Sequence, residues 1–262
     1  MSFASGKNLS LTIGDFSGGY EDLARLMEDA WGQNQSHSLI YTPDFLRSHF
    51  EYPRAQFGLA PTIHVDSQIA AFIAGFPRRV IYRGSEESLL VVSFLSVAAQ
   101  YQKLGLGLVL WSELVKRARQ AGYTSVVSYC IEGDPMNRMM LACYKRMGVS
   151  AAKIFEVRYL TRIMLSRGTP AFAEDICLDR VNRFLDVAVV SEDVPLRRVW
   201  TEQEVQWLCQ KRQNVVVVNR ACGGRSGFLT GNLMPIPGGK GAQCLLIEDV
   251  LCELHGGPLR GH

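Results

Sequence analysis

Apolar and polar positions change period several times along this chain, and each change marks a predicted element. Leu9 to Ile13 alternates like a short strand, and Tyr20 to Trp31 carries Leu23, Leu26, Met27, Ala30 and Trp31 at helical spacing. Thr42-Pro43 predicts a helix start that runs to about Phe50. The threonine hydroxyl can accept from the first turn, and proline fills a position whose N–H would have no partner anyway. Gly58 to Val65 and Gln68 to Phe76 read as strands joined by a tight Asp66-Ser67 turn, the second continuing through Val80 to Tyr82. Arg83-Gly84-Ser85 turns the chain into LLVVSFLSV, Leu89 to Val97, a run apolar enough for a central strand buried on both faces.

Gly105 to Ala121 is an amphipathic helix with Leu108, Trp111, Leu114, Val115 and Ala118 on one side, stopped by Gly122. Ser125 to Ile131 is a strand, Asp134-Pro135 opens a helix ending at Met147-Gly148, and Val149 to Met164 predicts two more strands. After Ser166 the texture changes. SRGTP reads as a linker, Ala171 to Phe184 as helical and Val187 to Val190 as a short strand. Thr201 and Glu204 have the spacing of a capping box, in which each side chain satisfies the other's backbone donor. Three strands are predicted next, over Asn214 to Asn219, Ser226 to Met234 and Cys244 to Leu254. The expected organisation is a domain over 1–165, a linker and helix over 166–186, and a smaller β-rich unit over 187–262.

Composition narrows the function classes. An apolar fraction of 47% over 262 residues can bury a core without disulfides or metals. A net charge of +3, with basic pairs scattered rather than clustered, gives no footprint for nucleic acid or an acidic membrane surface. The seven cysteines contain no CxxC pair and several sit in apolar surroundings, which suits buried thiols in a reducing cytoplasm and no metal site. No apolar run is long enough to span a bilayer, and the polar N-terminus has no signal-peptide core.

The chemistry-bearing stretch is Gln102-Lys103-Leu104-Gly105-Leu106-Gly107, between the apolar strand and the amphipathic helix. The first turn of a helix leaves backbone N–H groups without partners at its positive dipole end. Glycines remove side chains that would keep a phosphate from them. Each contact from an N–H to a charged oxygen contributes roughly 1.5–3 kcal/mol, and Lys103 adds charge at the rim. GxG alone equally fits a close strand–helix packing turn. Neither a Walker loop nor a three-glycine dinucleotide fingerprint is present.

In context the stretch resembles the signature (Arg/Gln)-x-x-Gly-x-(Gly/Ala) of the GCN5-related N-acetyltransferase (GNAT) family, with Gln102, Gly105 and Gly107 on its fixed positions. Asn137, Tyr144 and Gly148-Val149 match the family's next landmarks, and the element order through Met164 fits. The resemblance implies an α+β (mixed α/β) fold, a twisted, mostly antiparallel sheet flanked by helices. It implies acetyl-CoA as cofactor, entering a split between the fourth and fifth strands. Leu95, Val97, Ala98 and Ala99 would line the pantetheine arm, and Gln102, Lys103, Leu104, Gly105, Leu106, Gly107 and Leu108 would cradle the pyrophosphate. Asn137 would bond the pantetheine region, and Tyr144 would protonate the leaving thiolate. The chain departs from the family pattern at Ala98-Ala99, where a proline is usual, and carries glutamine rather than arginine at 102.

The implied activity is transfer of an acetyl group to a primary amine of a small molecule or peptide by direct attack, with cytoplasmic location and a homodimer left open. A non-catalytic acyl-CoA sensor, or a structural half of a tandem enzyme, is the alternative. A longer-chain acyltransferase is a third reading, decided beside Phe94 and Leu95. Glu86, Glu87 and Glu132 are the carboxylates available as base, each equally readable as an exposed turn charge. Acceptor contacts are expected from Trp31 to Ile40, Phe50 to Phe57 and Arg78 to Arg83, with Tyr41, His49, Tyr52 and Arg79 as polar or aromatic candidates. Residues 187–262 resemble a partial second GNAT-like module, degenerate or cut short, with Pro258-Leu-Arg260-Gly261 like the start of another phosphate loop; an unrelated β-rich extension is the alternative.

Overall fold

The computed structural model describes residues 10–32, 39–129, 135–153, 196–210, 227–236 and 243–252. The chain opens with β1 (Leu11–Asp15), α1 (Tyr20–Gly32) and α2 (Pro43–Phe50). Thr42 caps α2, its Oγ1 accepting from the Phe45 N–H at 3.2 Å, which is what its place before Pro43 predicts. A 3-10 turn at Phe57–Leu59 precedes β2 (Pro61–Val65), so the predicted strand from Gly58 starts later. Proline at position 61 lacks the N–H that an interior ladder position needs, and suits the first residue of a strand. β3 (Gln68–Tyr82) is one unbroken strand, followed by β4 (Ser85–Val97).

Both hairpins close on two residues of positive φ, Asp66 and Ser67 (48° and 66°), then Arg83 and Gly84 (49° and 83°). That is the turn whose twist matches the strands it joins. α3 (Leu106–Gln120), β5 (Ser125–Ser128) and α4 (Pro135–Arg146) follow. Val149 to Lys153 is irregular; the remainder of the predicted final strands, through Met164, lies outside the described residues. So do the predicted elements at 171–184, 187–190 and 214–219. Later elements are β6 (Leu196–Val199), α5 (Glu202–Gln210), β7 (Gly227–Pro235) and β8 (Gln243–Cys252).

β3 is the spine. β4 pairs along it from Ala71↔Val97 to Tyr82↔Ser85. On its other edge β2 pairs as far as Phe72, and β6 takes over at Arg79–Tyr82. Alternation along β3 separates two cores. Ala71 and Ile73 face α3 and α4, packing with Leu110, Trp111, Leu114 and Met140. Phe72, Ala74 and Phe76 face α1 and α2, packing with Phe16, Tyr20, Leu23, Phe45 and Phe50. Gly75 is absent from both cores because Leu90 fills its place; a Cβ there would lie 2.4 Å from Leu90 Cδ2. β7 joins the aromatic core through buried Met234, and Pro235 accepts the Ile40 N–H at 3.1 Å. Among the described residues no helix is long and apolar enough to cross a membrane.

Candidate active site

β4 carries the decisive irregularity. Ser93 pairs with Ala74 and Ser96 with Phe72, so two residues of β4 face one of β3. The extra residue bulges at Phe94, whose φ is +62°. Bulges of this left-handed kind favour glycine, and a bulky side chain there is strained by about 1–3 kcal/mol. The insertion also exchanges the faces of the strand. Before it, Leu90 and Val92 belong to the α3 core; after it, Leu95 and Val97 do, and Phe94 is turned onto the α1–α2 core.

The same point is where the sheet forks. β5 runs parallel to β4 and pairs only over Leu89–Val92 with Ser125–Ser128. Among the described residues, Ser93 to Val97 have no strand partner on the β5 side. Past the fork a 3-10 turn at Ala99–Tyr101 leads into the glycine-rich loop. Lys103 and Gly105 adopt φ of +65° and +83°, and Gly105 precedes α3 without any side-chain cap. Among the described residues the N–H groups of Lys103 to Gly107 have no backbone acceptor; the first helical bond is Leu108 N–H to Gly105 O at 3.0 Å. Lys103, Leu104 and Gly105 are exposed, while Leu106 and Gly107 are buried. A Cβ on Gly105 would meet nothing within 4 Å, so the space before the loop is open. Gly107 lies against the fork: a Cβ there would sit 3.7 Å from Leu95 Cδ1 and Val97 Cγ2.

The end of α1 fixes this loop. Asp29 Oδ2 accepts the Ala99 N–H at 2.7 Å, Trp31 Nε1 donates to Ser96 Oγ at 3.0 Å, and Gln102 Nε2 donates to the carbonyls of Ala30 and Val97 at 3.3 and 3.2 Å. The Ala98 N–H goes to Ala70 O at 2.9 Å. Gln102 therefore anchors the loop with its side chain, and Ala98 and Ala99 spend their donors within the protein. Asp29 and the Trp31–Ser96 bond had no signal in the sequence, because they join residues some seventy positions apart.

On the α3 side, Tyr144 is half-buried and meets the Trp111 ring edge-on, with centroids 5.7 Å apart. The Trp111 indole N–H is buried with no acceptor among the described residues. Asn137 lies in the first turn of α4, but its side chain falls outside the described residues, as does Glu132. Glu86 is not at the fork. It pairs with Arg79, the Arg79 Nε donating to its carboxylate at 2.6 Å. Like Glu87, it sits roughly 25 Å up the strand from Phe94, at about 3.3 Å per residue.

On the other face Phe94 gathers aromatic neighbours. Tyr41, Phe45, His49 and Phe76 all present rings edge-on to it, at centroid distances of 6.0, 6.4, 5.5 and 5.8 Å. His49 Nδ1 lies 2.9 Å from the Phe45 carbonyl. Farther along, Tyr52, Arg198 and buried Glu204 form a clasp between the end of α2 and the segment after β6. Arg198 donates to the Tyr52 hydroxyl and to Glu204, at 3.2 Å for the latter. Glu204 Oε2 accepts the Thr201 N–H at 2.9 Å while Thr201 Oγ1 accepts the Glu204 N–H at 3.2 Å, the capping box expected from their spacing. Burial pushes the Glu204 carboxyl up, but Arg198, the Thr201 N–H and Tyr52 together outweigh it and hold it below the usual glutamate range. Burial, reinforced by Glu204, raises the Tyr52 phenol well above its ordinary value.

A forked sheet with a bulged fourth strand and a bare helix N-terminus at its mouth is the architecture of an acyl-CoA acyltransferase fold. Residues 20–149 match the model of the Acetyltransferase (GNAT) family, and this part of the chain is a domain of that family. The fold is similar to that of Saccharomyces cerevisiae N-myristoyltransferase with bound myristoyl-CoA, at TM-score 0.61 and 14% identity, over 92% of this chain and 63% of that one. A second structure of the yeast enzyme, with myristoyl-CoA and inhibitors, gives TM-score 0.60 at 14% identity over 96% and 65%. This chain thus spans a little under two thirds of the yeast enzyme's length. Glucosamine-6-phosphate N-acetyltransferase from Arabidopsis thaliana aligns at TM-score 0.43 and 16% identity, over 58% of this chain and 99% of that one. No curated protein matches the chain in sequence.

Proposed function

We propose that the protein is an N-acyltransferase that takes an acyl group, acetyl in the simplest case, from acyl-CoA to a primary amine of a small molecule or peptide in the cytoplasm. The observation that carries this reading is the row of N–H groups from Lys103 to Gly107, which have no backbone acceptor among the described residues and stand at the mouth of the β4–β5 fork. Those donors suit a pyrophosphate, and open space before Gly105 leaves room for it. Leu95 and Val97 would line the fork beside a pantetheine arm, with Asn137 supplying a polar contact. Acyl-CoA supplies the activated thioester carbonyl and a thiol leaving group. Tyr144, held against Trp111, would give a proton from its hydroxyl to the departing sulfur. The segment after residue 195 would close the acceptor side, since β6 extends the sheet and β7 packs on the aromatic core.

The test is release of free CoA thiol across a panel of amines and peptides, with donors from acetyl-CoA to myristoyl-CoA because the fold is shared with an enzyme solved with the latter. Tyr144→Phe is expected to lower turnover about 100-fold while leaving CoA affinity within threefold. CoA binding with no turnover on any amine, by either form, would favour a sensor instead.

A further inference from the structure

We infer that Phe94 is a specificity-determining residue for the donor: its ring stops the acyl group at the apex of the fork and restricts the enzyme to short acyl-CoA thioesters. The inference rests on the proposed N-acyltransferase activity and deepens it by naming the class of acyl group carried.

Position along the strand is the first ground. β5 pairs with β4 as far as Val92↔Ser128, which closes the fork at that end. Phe94 is the second residue past that pair, roughly 7 Å along the strand from Val92. From the loop side, Gly107 lies against Leu95 and Val97. A cofactor with its pyrophosphate at the loop and its pantetheine arm beside Val97 and Leu95 therefore brings its thioester towards Phe94. An acyl tail that runs on along the strand meets the β4–β5 ladder. On the α3 face it meets Leu90, Val92, Leu110 and Met140, all buried in one core. On the α1–α2 face it meets the Phe94 ring.

Conformation is the second ground. An unbroken strand would leave residue 94 on the α3 face with Leu90 and Val92; the bulge turns it onto the α1–α2 face. Its φ of +62° suits glycine and strains phenylalanine, so the ring's neighbours hold it there. Those neighbours are Tyr41, Phe45, His49 and Phe76, with centroids 5.5–6.4 Å away. Phe45 and Phe76 are buried, and Phe94 is half-buried. The ring is thus fixed in a packed aromatic cluster without being fully enclosed by it. Its removal would leave a void of benzyl size lined by those rings. Apolar voids of that kind stay dry and take up apolar guests, so an alkyl tail could then be seated. A methylene that finds or loses such a place changes kcat/KM by roughly 10–200-fold.

The experiment measures kcat/KM on one amine with acetyl-, butanoyl-, hexanoyl-, octanoyl- and myristoyl-CoA. Wild type is compared with Phe94→Gly, which removes both ring and strain, and with Phe94→Leu, which keeps more of the packing. Phe16→Leu is the control: Phe16 lies in the same core, but its ring contacts are with Tyr20, Phe50, Phe57 and Phe72. Wild type should favour acetyl-CoA over hexanoyl-CoA by about 100-fold. Phe94→Gly should raise the hexanoyl-to-acetyl ratio about 100-fold, Phe94→Leu about 10-fold, and Phe16→Leu less than about threefold. In calorimetry without amine, octanoyl-CoA should bind wild type no more tightly than CoA, and Phe94→Gly about tenfold more tightly. A wild type that uses octanoyl- or myristoyl-CoA as readily as acetyl-CoA would overturn the assignment. So would an unshifted ratio in folded Phe94→Gly, or an equal shift in Phe16→Leu; if Phe94→Gly does not fold, Phe94→Leu and the wild-type series decide. Failure of the parent reading looks different: wild type would bind CoA and acylate no amine with any donor, and the calorimetric series would then decide whether Phe94 limits the tail. No CoA binding at all would end both.

Discussion

The two faces of the sheet are built by opposite means. The α3 face, with the fork and the loop, presents mostly backbone: the N–H row at Lys103 to Gly107 and the strand edge from Ser93 to Val97, neither with a backbone partner there among the described residues. The α1–α2 face offers side chains from several elements: Tyr41 before α2, Phe45 and His49 on α2, Phe76 on β3 and Phe94 on β4. The clasp of Tyr52, Arg198 and Glu204 then pins the end of α2 to the later part of the chain. A backbone-built site tolerates change in most side chains and fails when a glycine is filled. A side-chain-built site can change specificity by substitution, and depends on long-range packing to hold its shape. On the proposed function, shared donor chemistry on one face and variable acceptor chemistry on the other would follow from that division.

Substitutions that separate the faces test the contrast, and the largest effect should come from the clasp. Glu204→Ala leaves the half-buried Arg198 without its buried carboxylate partner and removes half of the capping box. It is expected to cost about 3–5 kcal/mol in chemical denaturation, with CoA affinity in the folded protein unchanged. Coupled loss of CoA binding in the native baseline would show that the faces are not independent. Gly105→Val is the converse. A β-branched residue at φ +83° is strained, and its side chain enters the open space before the loop. CoA should bind about 10–100-fold more weakly, by calorimetry, with a far smaller change in stability.

Gly75→Ala probes the seam where the two faces share β3. The new methyl meets buried Leu90 on the α3 side, and overpacking of about 1–3 kcal/mol is expected in thermal unfolding. Acid titration gives a smaller, signed effect. Glu204 is depressed in the folded state, so its contribution is complete above the free glutamate range and disappears as pH falls through the lowered folded value. Glu204→Gln should flatten that part of the stability profile. Thr201→Ala should cost about 1 kcal/mol through the lost cap alone.

The backbone-built face was the legible one. Gly105 and Gly107, in a turn between an apolar strand and an amphipathic helix, announce a bare helix N-terminus, and the resemblance in their spacing led to the GNAT family that residues 20–149 match. Periodicity also found α1, α2, α3 and α4, and the Asp66-Ser67 turn, because each is fixed by near neighbours. The bulge at Phe94 left no mark, since phenylalanine is not a residue that composition associates with positive φ. The Asp29–Ala99 and Trp31–Ser96 bonds, and the pairing of β6 with β3, depend on contacts between distant segments. Glu204 was legible as half of a capping box, but not as the buried partner of Arg198. The edge-on contact of His49 with Phe94 likewise joins segments far apart in the chain.

The most direct test is calorimetric titration of the protein with CoA and, separately, with pantetheine, which lacks the pyrophosphate. The account predicts that CoA binds at least tenfold more tightly, and that Gly105→Val abolishes the difference. Equal affinity for the two ligands in the wild type, or CoA binding untouched by Gly105→Val, would contradict a diphosphate cradle at the start of α3.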